Sequence, residues 1–168
     1  MLEAVADTGP PLHLAEAGQI RHLRMFDIVT MPSGVEAELK KKGVLPQVKK
    51  ALGKKLKVEG VAESAVADVS RRLSAFRLQD ADLQVAALAT VSSSSAVLTD
   101  DLQLRKALEQ SGHLVVGSIG ILIRSYRDGK LTRVALERGL SRIFDDSSLY
   151  LSRAFKRHVL SLLDQLTK

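Results

Sequence analysis

The sequence predicts an α/β protein built on a parallel sheet. Short apolar runs alternate with helix-length segments over residues 1–117. Several of those runs are apolar at nearly every position, as strands covered on both faces are. Punctuation agrees: Gly18, Gly43 and Gly112 each follow a helical stretch, where glycine commonly ends a helix.

Taken in order, residues 2–6 form a first strand that ends at Asp7. A helix starting at Pro10 or Pro11, where a first turn tolerates proline, runs to Gly18. QIRHLR is a short helix leading to a second strand over residues 26–30. Pro32 opens a helix through GVEAELKKK that stops at Gly43. PQVKKALGKKL is a further short helix, with Val48, Leu52 and Leu56 as its apolar stripe and lysines opposite. LKVEGV is a third strand. Residues 63–76 and 80–91 are helical by spacing, with Asp80 as N-cap of the second helix, and residues 92–95 are a serine-rich turn. Residues 96–99 make a strand, DLQLRKALEQSG a helix and HLVVG the last strand. Residues 119–166 are helical, with breaks near Asp128-Gly129 and at 145–148. The expected organisation is one domain over residues 1–168: an α/β core over 1–117, and a helical extension over 118–168 packed on it.

At 168 residues the chain suffices for one good core. Aromatics are 4% and Trp is absent, so that core must be mostly Leu, Val, Ile and Ala. The lack of cysteine excludes disulfides and thiolate metal sites. The N-terminus has no basic stretch followed by an apolar one, and the longest apolar run, residues 114–123, is far short of the ~20 residues of a membrane span. A cytoplasmic protein is expected.

The net charge of +6 is unevenly spread. Residues 40–57 hold eight lysines and no acid, residues 117–168 carry a net +5, and the blocks 1–39 and 58–116 are acidic, at −4 and −3. Such segregation suits a polyanion whose backbone is held beside an acidic, metal-filled pocket.

That pocket has candidates. Asp7 in VADTGPPLHL, Glu38 in MPSGVEAEL, Asp82 in LQDADLQVAALA and Asp101 in AVLTDDLQL come from four separate segments, where strands end and helices begin. Ligands of open parallel sheets bind at the carboxyl ends of the strands, where Asp7 and Asp101 belong. Clustered carboxylates repel one another without a cation, and oxygen donors suit Mg²⁺ or Mn²⁺. Local helix effects also explain single acids: Asp82 sits where a helix N-terminus favours negative charge. The four histidines share no metal-ligand spacing, which argues against zinc, and His13, in an apolar helix, reads as structural. Neither dinucleotide nor P-loop motif is present, and Gly117 and Gly120 read as easing a strand-to-helix junction.

These segments resemble the PIN-domain family of metal-dependent ribonucleases over nearly the whole chain. VADTGPPLHL is similar to the family's opening strand and first Asp, and GVEAEL to its helix ending in Glu-Leu, which points to Glu38 rather than Glu36. LQDADLQVAALA favours Asp82 over Asp80, and VLTDD places Asp101 in the matching position with Asp100 as near alternative. The tail, VVGSIGILIRSYRDGKLTR and SLYLSRAFKRHVL, resembles a VapC-like prokaryotic toxin subgroup with a helical extension. Many relatives carry another acid two residues after the last Asp; here that residue is Gln103.

The resemblance implies a three-layer α/β/α fold and Mg²⁺- or Mn²⁺-dependent endoribonuclease activity, with Asp7, Glu38, Asp82 and Asp101 as catalytic residues. It implies metal binding by Asp7, Asp82 and Asp101, with Asp100 as a compensating ligand, and Glu38 positioning metal or attacking water. Thr8 and Thr99 either hydrogen-bond a water or phosphate or serve turns and caps. Within the lysine block, Lys49, Lys50, Lys54 and Lys55 are the candidate RNA-phosphate contacts; a solvated helix face is the bland alternative. With two Tyr and four Phe, base-stacking platforms should be few. A non-catalytic RNA-binding protein is the competing reading. An antitoxin protein and a second copy of the chain are the expected partners. The residues Leu149, Leu151, Phe155, Val159, Leu162 and Leu163 form either their interface or core.

Overall fold

The apolar runs pair side by side. In a computed structural model, which describes residues 1–92, 94 and 96–165, strand β1 (Glu3–Ala6) sits between β2 (Ile28–Pro32) and β4 (Ala96–Leu98). Strand β3 (Leu56–Glu59) flanks β2, and β5 (Val115–Val116) flanks β4. Among the described residues this is one five-stranded sheet, order β3-β2-β1-β4-β5, parallel at every pairing. Positions 93 and 95 of the expected serine-rich turn, and position 166, lie outside the described residues.

Helices make every crossover, because parallel neighbours cannot be joined by a hairpin. Helix α1 (Gly9–Glu16) and a 3₁₀ turn (Ile20–Met25) link β1 to β2. Helices α2 (Ser33–Lys41) and α3 (Leu45–Leu52) link β2 to β3. Helices α4 (Glu63–Arg72) and α5 (Asp80–Val91) carry the chain from β3 across to β4, and α6 (Leu102–Gln110) leads to β5. The chain thus builds outward from β1 in one direction, then returns to its other side. The crevice between β1 and β4, where the strand order reverses, is the place such a sheet offers a ligand.

Several predicted boundaries move. Helix α3 stops at Leu52, so Leu56 belongs to β3 and not to the apolar stripe of that helix, and the helix expected over 63–76 ends at Arg72. The second strand begins at Ile28 rather than residue 26, since Phe26 N–H still closes the 3₁₀ turn on Leu23 O (3.2 Å). Asp27 faces Leu2 instead: its N–H donates to Leu2 O at 2.7 Å and its Oδ2 accepts from Leu2 N–H at 2.8 Å. The N-cap of α5 is Gln79, not Asp80. Gln79 and Asp82 satisfy each other's backbone N–H groups in a capping box, which shifts Asp80 into the first turn.

The extension forms α7 (Ser118–Arg127), α8 (Arg133–Asp146) and α9 (Arg153–Gln165), broken where Gly129 takes φ +70° and again after Asp146. Helices α7 and α8 pack on α1 and on each other. Leu122, Leu136, Leu140, Ile143, Val159 and Leu163 are buried in the same apolar cluster as the sheet residues Val5, Val29 and Val97. Of the six apolar residues in the tail, Val159 and Leu163 are core, Leu149 and Leu151 pack partly against it, and Phe155 and Leu162 stay exposed. Fully buried leucines deleted to alanine cost about 2–5 kcal/mol. Leu136→Ala in α8 and Leu98→Ala in β4 are therefore both expected to lose about that much, each in a single cooperative urea transition. Two separated transitions would mean that the extension folds independently.

Candidate active site

The switch-point crevice is closed by hydrogen bonds that continue the ladder past the strand ends. Asp7 N–H donates to Leu98 O (2.9 Å) and Thr99 N–H to Val116 O (3.1 Å), so Asp7 and Thr99 lie side by side beyond β1 and β4. Thr99 is fully buried and Asp7 only 6% exposed. Thr99 Oγ1 donates to Asp7 Oδ2 at 2.7 Å and accepts from Asp101 N–H at 3.0 Å; Thr8 N–H donates to Asp7 Oδ1 at 2.6 Å. One hydroxyl thus ties the first acid of the crevice to the backbone of the last.

Each remaining acid is delivered by a helix. Asp101 is the N-cap of α6, its Oδ1 accepting from Leu104 N–H at 2.8 Å. Asp82 is the third residue of α5, its Oδ2 accepting from Gln79 N–H at 2.7 Å. Glu38 lies in α2 and accepts a hydrogen bond from Thr8 Oγ1. Helical spacing separates it from Glu36, which turns to the α2–α3 groove and pairs with Lys49 Nζ at 2.8 Å. Gly34 brings α2 close to α5: its N–H donates to Gln84 Oε1 at 3.1 Å, and a Cβ there would come within 2.7 Å of that oxygen.

Electrostatics gather the four acids into one group. Burial pushes the Asp7 carboxyl up to about 6, against the bonds from Thr99 and Thr8, and the charges of Asp82 and Glu38 push the same way. Burial likewise raises Asp82; the Gln79 N–H opposes it, and Asp101 and Glu38 add repulsion. Acids after β1, in α2 and α5, and at the start of α6 therefore stand near enough to repel one another, and Asp7 and Asp101 line one opening.

Asp100 takes another direction. Its Oδ1 accepts from Ser118 N–H (2.8 Å), and its Oδ2 accepts from Ser118 Oγ (2.6 Å) and lies 2.7 Å from His13 Nδ1. It caps α7 from outside the helix, a position permitted because Gly117 has no Cβ; one would stand 2.7 Å from Asp100 Oδ1. The serine and the histidine both meet the carboxylate rather than each other, so the trio does not activate a nucleophile. His13 has the structural role expected of it, on the wall of the cleft. The trio itself left no sequence signal, since its members are 13, 100 and 118 in the chain.

The lysines divide. Lys49 pairs with Glu36, although no acid lies within the lysine block itself, and Lys55 Nζ donates to Arg24 O and Phe26 O, both at 2.9 Å, closing the end of the 3₁₀ turn. Lys50 and Lys54 are exposed.

A PIN-domain family model matches residues 3–165. The chain belongs to the PIN-domain family. No curated protein matches it. PIN domains are generally nucleases and typically use divalent metals. The oxygen-only donors of this PIN domain suit a hard cation, and burial with mutual repulsion gives its acids reason to take one. Among the described residues no three His, Asp or Glu side chains already converge on a metal position. Mg²⁺ commonly takes one or two carboxylates and keeps several of its waters.

The raised Asp7 carboxyl has a sign. Unfolded, Asp7 ionises near 3.8; folded, near 6, so the folded state binds the extra proton between these values. The stability Asp7 contributes is present below the lower value and is lost as pH rises through the upper one, by about 3 kcal/mol. Without divalent cations, the stability of the wild type relative to Asp7→Asn should fall by that order between about pH 4 and pH 7. Urea unfolding of both proteins checks this; a difference independent of pH would contradict a buried carboxyl.

Proposed function

We propose that this PIN domain is an endoribonuclease that hydrolyses RNA phosphodiesters with Mg²⁺ or Mn²⁺. The supporting observation is the coupling of four carboxylates from four chain segments at the sheet's switch point. Asp7, Asp82 and Asp101 would hold the cation directly or through water, and Glu38 would orient the attacking water. Asp100 lines the same opening and would add its charge there while His13 and Ser118 hold it in place. A bound cation supplies an acidified water and positive charge against the phosphodiester. Thr99 and Thr8 hold Asp7 and Glu38 in fixed orientations, so that little reorganisation accompanies reaction. Cleavage of single-stranded RNA should require Mg²⁺ or Mn²⁺, stop with chelator, and fall by about 100-fold or more in Asp7→Asn. Equal cleavage by wild type and Asp7→Asn would trace the activity to a contaminant.

The RNA backbone is proposed to run past the lysine face. Lys50 and Lys54 are its freest contacts, since Lys49 and Lys55 have partners within the protein. Replacing Lys50 and Lys54 with glutamine should weaken RNA binding and lower the salt slope by roughly 1.4, at about 0.7 per phosphate contact on single strands. An unchanged slope removes this face from the binding path.

A non-catalytic RNA-binding protein is the second reading. It is favoured by Gln103, exposed in the first turn of α6, and by the absence of a preassembled metal position among the described residues. Such a protein would hold RNA equally well in chelator and turn nothing over. A role as the toxin of a toxin–antitoxin pair, and a homodimer, are further proposals; Phe155 and Leu162, exposed on one face of α9, are the surface they would use. The adjoining reading frame and the mass of the protein in solution test these. No helix among the described residues is long and apolar enough to cross a membrane.

A further inference from the structure

The acidic cleft has a wall that the four carboxylates do not explain. After α8 the chain runs through residues 147–152 without helix or strand, and the segment 148–150 lines the same opening as Asp7, Asp100 and Asp101. Leu149 and Leu151 pack against the core, and Tyr150 between them faces outward. It is 90% exposed, the most exposed of the chain's six aromatic side chains.

The segment is held firmly. Ser147 Oγ donates to Ile143 O at 2.5 Å and accepts from Leu149 N–H at 3.3 Å. Ser148 donates to Glu16 Oε2 twice, from N–H at 2.7 Å and Oγ at 2.9 Å. Gly9, His13 and Glu16 form one stripe along α1 at helical spacing. The same stripe meets Asp100 at Gly9 and His13, and the tail segment at Glu16. A single helix face therefore holds both Asp100 and the backbone just before Tyr150.

We propose that Tyr150 is a stacking platform for a nucleobase of single-stranded RNA whose phosphodiester enters the acidic cleft. The inference rests on the nuclease reading for the identity of the polymer and adds a specificity residue to it. An exposed aromatic ring carried by a pinned backbone is open to stacking, which every base can supply through its π-face. The cleft floor is carboxylate and repels phosphate without a cation, so a contact to the base has particular value in holding the strand there. Stacking of this kind selects unpaired over paired RNA and is tolerant of sequence.

The chain has no Trp, so Tyr150→Trp places a single indole reporter at the lip of the cleft. In an Asp7→Asn background, titration with a short single-stranded RNA should quench that indole, and an oligonucleotide with abasic sites should not. In binding measured by fluorescence anisotropy, Tyr150→Ala should lose about tenfold in affinity, and Tyr150→Phe should keep it within about twofold. With otherwise native protein and Mn²⁺, Tyr150→Ala should raise KM with little change in kcat. If wild-type protein binds RNA while the introduced indole is not quenched and Tyr150→Ala binds equally well, the stacking role is wrong and the nuclease reading stands. If RNA is bound and the indole quenched but nothing is cleaved by the wild type, the nuclease reading fails and stacking survives. If no RNA is bound at all, both fall.

Discussion

The structure turns on a buried carboxylate at the end of the central strand. Asp7 cannot leave the crevice, because its own N–H completes the ladder to Leu98 and its side chain is held by Thr99 and by the Thr8 amide. Burial disfavours its charge, and the neighbouring acids disfavour it further. Such a group lowers the stability of the protein on its own. A sheet that places it at the reversal of strand order, with three further acids around it, has the form of a site for cationic chemistry rather than of a core.

The acids at helix starts show why local and functional explanations need not compete. Asp82 completes the capping box of α5, and Asp101 caps α6. Helix N-termini stabilise negative charge, and a capping bond fixes the carboxylate's direction. The bond that ends the helix thus also aims the acid at the cleft. Asp100, adjacent in sequence, is held at a third helix start, that of α7, on the wall of the same opening. In one dipeptide, two carboxylates are sorted by which helix each one caps.

The extension is bound to the α/β core at two levels. Its leucines share the core, and its polar contacts, Asp100 with Ser118 and Glu16 with Ser148, join it to the walls of the cleft. Anything that displaced α7 or α8 would therefore disturb Asp100 and the approach to Asp7. The exposed edge strand β3 and the lysines beside it stand apart from this coupled region.

The alternation of apolar runs and helices, and the helix stops before Gly18, Gly43, Gly112 and Gly129, were legible in the sequence because they follow from local patterning and glycine punctuation, whereas the stops at Leu52 and Arg72 were not. So was the position of Asp7 and Asp101 past strand ends, since strand polarity in a parallel sheet decides which end they occupy. The start of the second strand and the N-cap of α5 were misplaced by one or two residues, because Asp27 and Asp82 form bonds whose partners are chosen by geometry. Proximity among Glu38, Asp82 and Asp7, the sequestering of Asp100 by His13 and Ser118, the pairing of Lys49 with Glu36, and the reach of Tyr150 to the cleft join residues up to 143 positions apart. The sequence by itself determined which segments would be strands and helices and which acids stood at their ends. Only the tertiary structure decided which of those acids share a cleft, because that depends on strand order and helix packing, and neither leaves a local mark on the chain.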